Sequence, residues 1–147
     1  MKFSKKSRYG VAALIDLAVN SKNGHVALGS IAERNEISPQ YLEQVFASLR
    51  RAGIVKSVKG SQGGYLLKYP SSSITVASII QALEGTYYLD DEETKTEESA
   101  AGIAETIQED IVDRVNHGLD QILQNLTLAD LEESFQERQS GGQEMYY

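Results

Sequence analysis

Apolar residues return at steps of three and four along most of this chain, and the breaks between those runs mark its elements. Tyr9, Ala12, Ala13, Leu14, Leu17 and Ala18 predict a first helix over residues 4–20, capped by Ser4 or Ser7. Asn23-Gly24 is a turn, and His25 to Leu28 is a short extended segment. Ser30-Ile31-Ala32-Glu33-Arg34 begins a short helix that ends near Asn35. Ser38-Pro39 then supplies an N-cap and a first helical position, and Gly53 follows Arg50 and Arg51 as a stop. Between them Leu42, Val45, Phe46 and Leu49 form a buried face, while Gln40, Tyr41, Gln44, Ser48 and Arg51 lie on the other side. From Ile54 the period changes. Ile54, Val55 and Val58, then Tyr65 to Tyr69, read as two strands around Lys59-Gly60-Ser61-Gln62-Gly63-Gly64, a hairpin with a wide loop. A compact helix follows from Thr75 to a Gly85 stop.

The second half has a different texture. Asp90 to Glu98 is polar, aperiodic and self-repelling, which predicts a flexible loop. Over residues 100–125, Ile103, Ile107, Ile111, Val115, Leu119 and Ile122 line one face of a long helix. The first half is too small to cover that whole face. A second copy of the helix would cover it, giving a symmetric dimer; packing back on its own domain is the alternative. Thr127-Leu128-Ala129-Asp130 is a capping box, so a last helix runs to about Phe135. The tail beyond Gln139 is loose and ends Met145-Tyr146-Tyr147, which either docks or is incidental. The divisions expected are 1–85, a flexible loop at 86–99, helices over 100–138 and a tail at 139–147.

Charge changes the picture. The whole chain carries −7, yet residues 1–70 hold eleven Lys/Arg against four Asp/Glu, and residues 71–147 hold three against seventeen. A basic end joined to an acidic remainder points to an anionic partner for the first half alone. Two helices joined by about three residues, with a polar outer face on the second, match a helix-turn-helix. The hairpin after it matches a wing. Lys5, Lys6 and Arg8 crowd the first turn of the first helix, where they oppose its dipole, so helix stability alone does not explain them. Gln40, Tyr41 and Gln44 can reach groups on a partner rather than fill a core. Ser38, Pro39, Arg51, Lys5, Arg8, Lys56 and Lys59 hold phosphates or shape the approach, and Gly60 and Gly63 let the wing backbone come close. The glycines lack any phosphate-loop pattern.

Little in the chain suggests catalysis. His25 and His117 are the sole histidines, no nucleophile elbow or metalloprotease motif occurs, and cysteine is absent. No apolar run approaches a membrane span and none follows the basic start, so a cytoplasmic protein is expected; with no cysteine and no ligand motif, no cofactor is expected. A protein-interaction module working through its acidic half is the alternative to a DNA-binding protein.

Several stretches carry a resemblance. Ser-Lys-Lys-Ser-Arg-Tyr-Gly-Val-Ala-Ala-Leu at 4–14, Ser-Ile-Ala-Glu-Arg at 30–34 and Ile-Ser-Pro-Gln-Tyr-Leu-Glu-Gln-Val-Phe at 37–46 are the first three. Leu49 to Leu67, Ile-Ile-Gln-Ala-Leu-Glu-Gly at 79–85 and Leu-Thr-Leu-Ala-Asp-Leu at 126–131 follow in order. On these the chain resembles the Rrf-type bacterial winged-helix transcription regulators. The resemblance implies a mainly α fold: a winged helix-turn-helix DNA-binding domain with a long C-terminal dimerisation helix. It also implies a homodimer on imperfect palindromes in double-stranded DNA, with Ser38 to Tyr41 and Gln44 entering the major groove, base contacts mainly from Gln40, Tyr41 and Gln44, and Lys59 at the wing. Cluster-bearing members place three cysteines between residues 86 and 106, where this chain has none, so a thiolate-held iron–sulfur cluster is ruled out. The branch without that cysteine set represses cysteine-metabolism genes and takes its signal through cysteine synthase (O-acetylserine thiol-lyase). A repressor of an unrelated regulon stays open.

Overall fold

The computed structural model describes residues 3–90 and 101–144. The acidic stretch from Asp91 to Glu98 and the terminal Met145-Tyr146-Tyr147 lie outside them. Four helices and a hairpin make the first half: α1 Lys5–Asn20, α2 Leu28–Asn35, α3 Pro39–Arg51, β1 Val55–Val58, β2 Gly64–Leu67 and α4 Val76–Glu84. Ser4 caps α1, its Oγ accepting the Ser7 N–H at 3.3 Å. α2 starts at Leu28, earlier than Ser30, so the extended segment before it shrinks to one bridging residue, Val26. α2 ends on Glu36 at φ 54°, a left-handed turn that sends the chain into α3, and the Ile37 N–H closes on the Ala32 carbonyl at 3.0 Å. Ser38 caps α3 by accepting from the Tyr41 N–H at 3.3 Å.

Leu14, Leu17, Ile31, Leu42, Val45, Phe46, Leu49 and Ile79 are wholly buried and knit α1 to α4 into one core. Each large aliphatic buried there contributes about 1.5–3 kcal/mol. The sheet pairs β1 antiparallel to β2, from Val55 opposite Leu67 to Val58 opposite Gly64. Val26 adds a one-residue third strand, exchanging backbone hydrogen bonds of 3.0 and 2.9 Å with Tyr65. The Tyr65 ring lies 4.6 Å from that of Phe46, which seats the hairpin on the core.

The long apolar helix is present over residues 101–123 but is not uniform. α5 (Ala101–Ile107) and α6 (Arg114–Leu123) flank a π-helical stretch, Gln108–Asp113. Steps of four drift around an α-helix, and the wider π turn drifts back. Ile103, Ile107, Ile111 and Val115, each four apart, are thereby kept in one line. Leu119 departs from that line: it is half-buried and packs with Leu123, Leu126 and Leu131 on Val76, Ile80 and Tyr87.

α7 (Leu128–Glu144) starts at the capping box, where Thr127 and Asp130 each accept the other's N–H at 3.2 and 2.9 Å. The helix continues well past Phe135, so residues 139–144 are helical rather than loose. Its first turns pack along α1, and Lys22 meets Glu132 at 2.8 Å. A helix nucleated by tertiary packing extends at low cost, even through Gly141 and Gly142. Backbone bonds of 2.8 Å from Val76 to Leu126 and from Leu128 to Ile74 tie this half to α4.

Candidate nucleic-acid interface

The three parts read as DNA-facing belong to one body. α3 presents Ser38, Pro39, Gln40, Gln44 and Arg51 to solvent. Its other face is held by Leu42, Val45, Phe46 and Leu49, so the polar residues have one orientation. α2 crosses behind it and is locked to α1: Arg34 donates to both oxygens of Asp16, at 2.7 and 2.9 Å, and Asn35 adds a bond at 3.1 Å. Tyr41 is half-buried, its ring edge-on to Tyr9 at 5.7 Å, so its ring also braces α3 against α1. Ser48 corrects the sequence reading: it is buried, donates to the Gln44 carbonyl at 3.4 Å and accepts from Arg51 at 3.3 Å. It steadies Arg51 and presents nothing outward.

On the wing, Lys56, Lys59 and Gly60 are exposed. Gly60 sits at φ 127°, a conformation that favours glycine. Gly63 is demanded by space: a Cβ there would lie 2.3 Å from the Val58 carbonyl oxygen. His25 Nε2 donates to the Gln62 carbonyl at 2.5 Å, so that histidine pins the loop from the turn before α2. Lys5 and Arg8 are exposed at the start of α1, where Arg8 also lies 5.4 Å over the Phe3 ring.

Two residues passed over in the sequence line the groove between α3 and the wing, a space of about 490 Å³. Glu43 and Arg50 stand there on the same side of α3. The signal was present: with Gly53 turning α3 directly into the hairpin, positions 43, 47 and 50 must look toward the wing.

Among the described residues His117 belongs to no group placed to hold a metal ion. Its neighbour Asp120 accepts from the hydroxyls of Tyr87 and Tyr88, the second at 2.6 Å, and these bonds hold its carboxyl below the usual range. Asn116 clasps Leu89 beside them, accepting its N–H at 2.8 Å. Among the described residues no group of three or more His, Cys, Asp or Glu is placed to hold a metal ion. No helix among them is long and apolar enough to cross a membrane.

Comparison with known proteins adds four findings. The Rrf2 family model, described as an iron-dependent transcriptional regulator, matches residues 3–134. The HTH-type transcriptional regulator IscR of Yersinia enterocolitica is 38% identical over 135 residues, 89% of this chain and 79% of that protein. The structure of CymR, the global cysteine regulator of B. subtilis, superposes with a TM-score of 0.76 at 36% identity, covering 91% of this chain and 98% of that one. The T. potens IscR structure superposes with a TM-score of 0.65 at 39% identity, covering 100% and 97%. The iron in the family's description finds no fit here, since the chain has neither a cysteine nor a clustered donor set among the described residues.

Proposed function

The chain belongs to the Rrf2 family of DNA-binding transcriptional regulators and is not an enzyme; from that premise we propose that it is a homodimeric cytoplasmic repressor of cysteine and sulfur metabolism genes, bound to an imperfect palindrome. Residues 1–85 hold the DNA. Gln40, Tyr41 and Gln44 read base edges in the major groove. Ser38, Lys5, Arg8, Arg51 and Lys56 meet phosphates, and Lys59 does so from the wing.

One observation carries the dimer. Ile103, Ile107, Ile111, Val115 and Ile122 are between 41% and 66% exposed along one helix, a row of large aliphatics that a single chain leaves in water. A second copy of the same helix covers it with two-fold symmetry and sets two α3 helices at the spacing of two half-sites. The likeness to CymR and the absence of cysteine favour the cysteine branch over a cluster-sensing one. Cysteine synthase is the partner that reading names.

The test is selection of bound fragments from the genomic DNA of the source organism by purified protein without added metal. Enrichment of a palindrome upstream of sulfur-uptake or cysteine-synthesis genes is expected. Enrichment elsewhere keeps the regulator and overturns the regulon. If nothing is enriched alone, enrichment on adding cysteine synthase supports that partner, and none overturns it.

A further inference from the structure

The basic first turn of α1 has an anion beside it, and the chain itself supplies it. α1 carries no acidic residue in its first turn, while Lys5, Lys6 and Arg8 all lie there or next to it. Glu84, the last residue of α4, places its Oε1 where both Ser4 and Ser7 reach it. The Ser7 hydroxyl donates to that oxygen at 2.7 Å, and the Ser4 hydroxyl donates to the same atom. Ser7 is wholly buried and Glu84 half-buried, so the contact lies between the two helices. Gly10 lets α4 come this near: a Cβ on it would lie 2.3 Å from Leu83 Cδ1.

Two features set this carboxylate apart from ordinary capping. The Ser4 hydroxyl already accepts the Ser7 N–H, so the cap exists without it. An acid at the end of α4 opposes that helix's own dipole, and it adds negative charge close to the surface read as meeting phosphate. A carboxylate kept at such a place is explained by what it holds. Its two hydroxyl donors lie one on each side of Lys5 and Lys6, and Arg8 follows the second.

We propose that Glu84 is a positioning residue for DNA binding: by holding Ser4 and Ser7 it fixes the basic first turn of α1 so that Lys5 and Arg8 face phosphates. This rests on the reading of Lys5 and Arg8 as phosphate contacts.

The test measures affinity of the full-length protein for a random-sequence duplex across a salt series. The slope of log affinity against log salt counts phosphates neutralised, each worth about 0.9. A loss of folded protein lowers the active fraction and leaves that slope unchanged. Replacing Lys5 and Arg8 together by Ala lowers the slope by about 2. Glu84→Ala lowers it by about 1 to 2, while Glu84→Gln, which keeps an acceptor oxygen, stays at the wild-type value. Ser7→Ala cuts the same contact from the other side, leaves the Ser4 cap in place and shifts the slope the same way, should Glu84→Ala fold poorly. A slope unchanged in Glu84→Ala, or in Ser7→Ala where the first does not fold, overturns the proposal. So does a loss in Glu84→Gln as large as in Glu84→Ala, which assigns the effect to charge. If the Lys5/Arg8 variant is itself silent, the underlying phosphate reading has failed, and the proposal with it.

Discussion

Gly64 opens β2 against the backbone of another segment. A methyl group placed on it would lie 2.3 Å from the Val26 carbonyl oxygen, 2.6 Å from the Val26 carbonyl carbon and 3.0 Å from the Ala27 nitrogen. All three are backbone atoms, so no side chain can turn aside, and Gly64→Ala must push β2 away from Val26. What it breaks is the pair of hydrogen bonds, 3.0 and 2.9 Å, between Val26 and Tyr65. Two such bonds contribute about 1–3 kcal/mol net. Displacing the Tyr65 ring from Phe46 removes about 0.5–1.5 kcal/mol more. The lower chain entropy of alanine in the unfolded state returns at most about 1 kcal/mol. A net loss centred at about 2 kcal/mol, within a range of about 0.5–4 kcal/mol, falls on a two-stranded ribbon that is marginal without its seat. The wing should therefore detach while the helical core stays folded. Amide hydrogen exchange reads this directly. Protection at the Tyr65 and Val26 N–H groups should fall by about one to two orders of magnitude, with Leu42 and Leu49 amides near their wild-type values. DNA affinity should drop with it, because Lys59 and Gly60 ride on the same loop. Unchanged protection at Tyr65 would show that the clash is absorbed elsewhere. Equal loss in the core would show that the wing is not separable. Either result refutes the reasoning.

Three further outcomes are expected. Lys59→Ala should weaken binding to operator and random DNA alike, whereas Gln44→Ala should relax base preference by about 1–3 kcal/mol at one position; equal losses on both DNAs for both variants would end that division. Ile107→Asp, at a position half exposed in the single chain, should weaken a dimer by at least about 2 kcal/mol, since two copies lose about 1 kcal/mol of burial each; sedimentation equilibrium would read a shift to monomer, and an unchanged mass would place the interface elsewhere. The Asp120 cluster predicts a two-sided pH profile. The Tyr87 and Tyr88 hydroxyls lower the Asp120 carboxyl from 3.8, so its contribution is present above that pH and is lost as pH falls through the lowered value. Burial pushes the Tyr87 hydroxyl up, and the bond to Asp120 pushes Tyr88 up to about 12, so theirs is present below about 10 and is lost as pH rises through the raised values. Urea midpoints across pH should decline at both ends in the wild type, and the acid-side decline should shrink in Asp120→Asn.

Residues near each other in the chain determined most of what the sequence showed. Ser38, Pro39 and the aliphatic row behind them specify α3 locally, because capping and periodicity act within a few residues. Thr127 and Asp130 specify the start of α7 in the same way. Composition excluded thiolate chemistry outright, and the segregation of charge pointed to the anion-facing half.

Tertiary structure decided what depends on neighbours distant in sequence. Ser48 reads as an outward polar residue, yet neighbouring packing buries it. Leu119 continues the helical repeat of Ile103 to Val115 but meets Val76, Ile80 and Tyr87 instead of solvent. The end of α7 was hidden because Gly141 and Gly142 signal a stop, while its contact with α1 is long-range. Glu84 looks like one more surface acid until folding carries it 77 residues back along the chain to Ser7. Periodicity and capping are one-dimensional properties that a sequence states directly. Which face meets which partner is a property of the closed chain, where two groups become neighbours only after everything between them has packed.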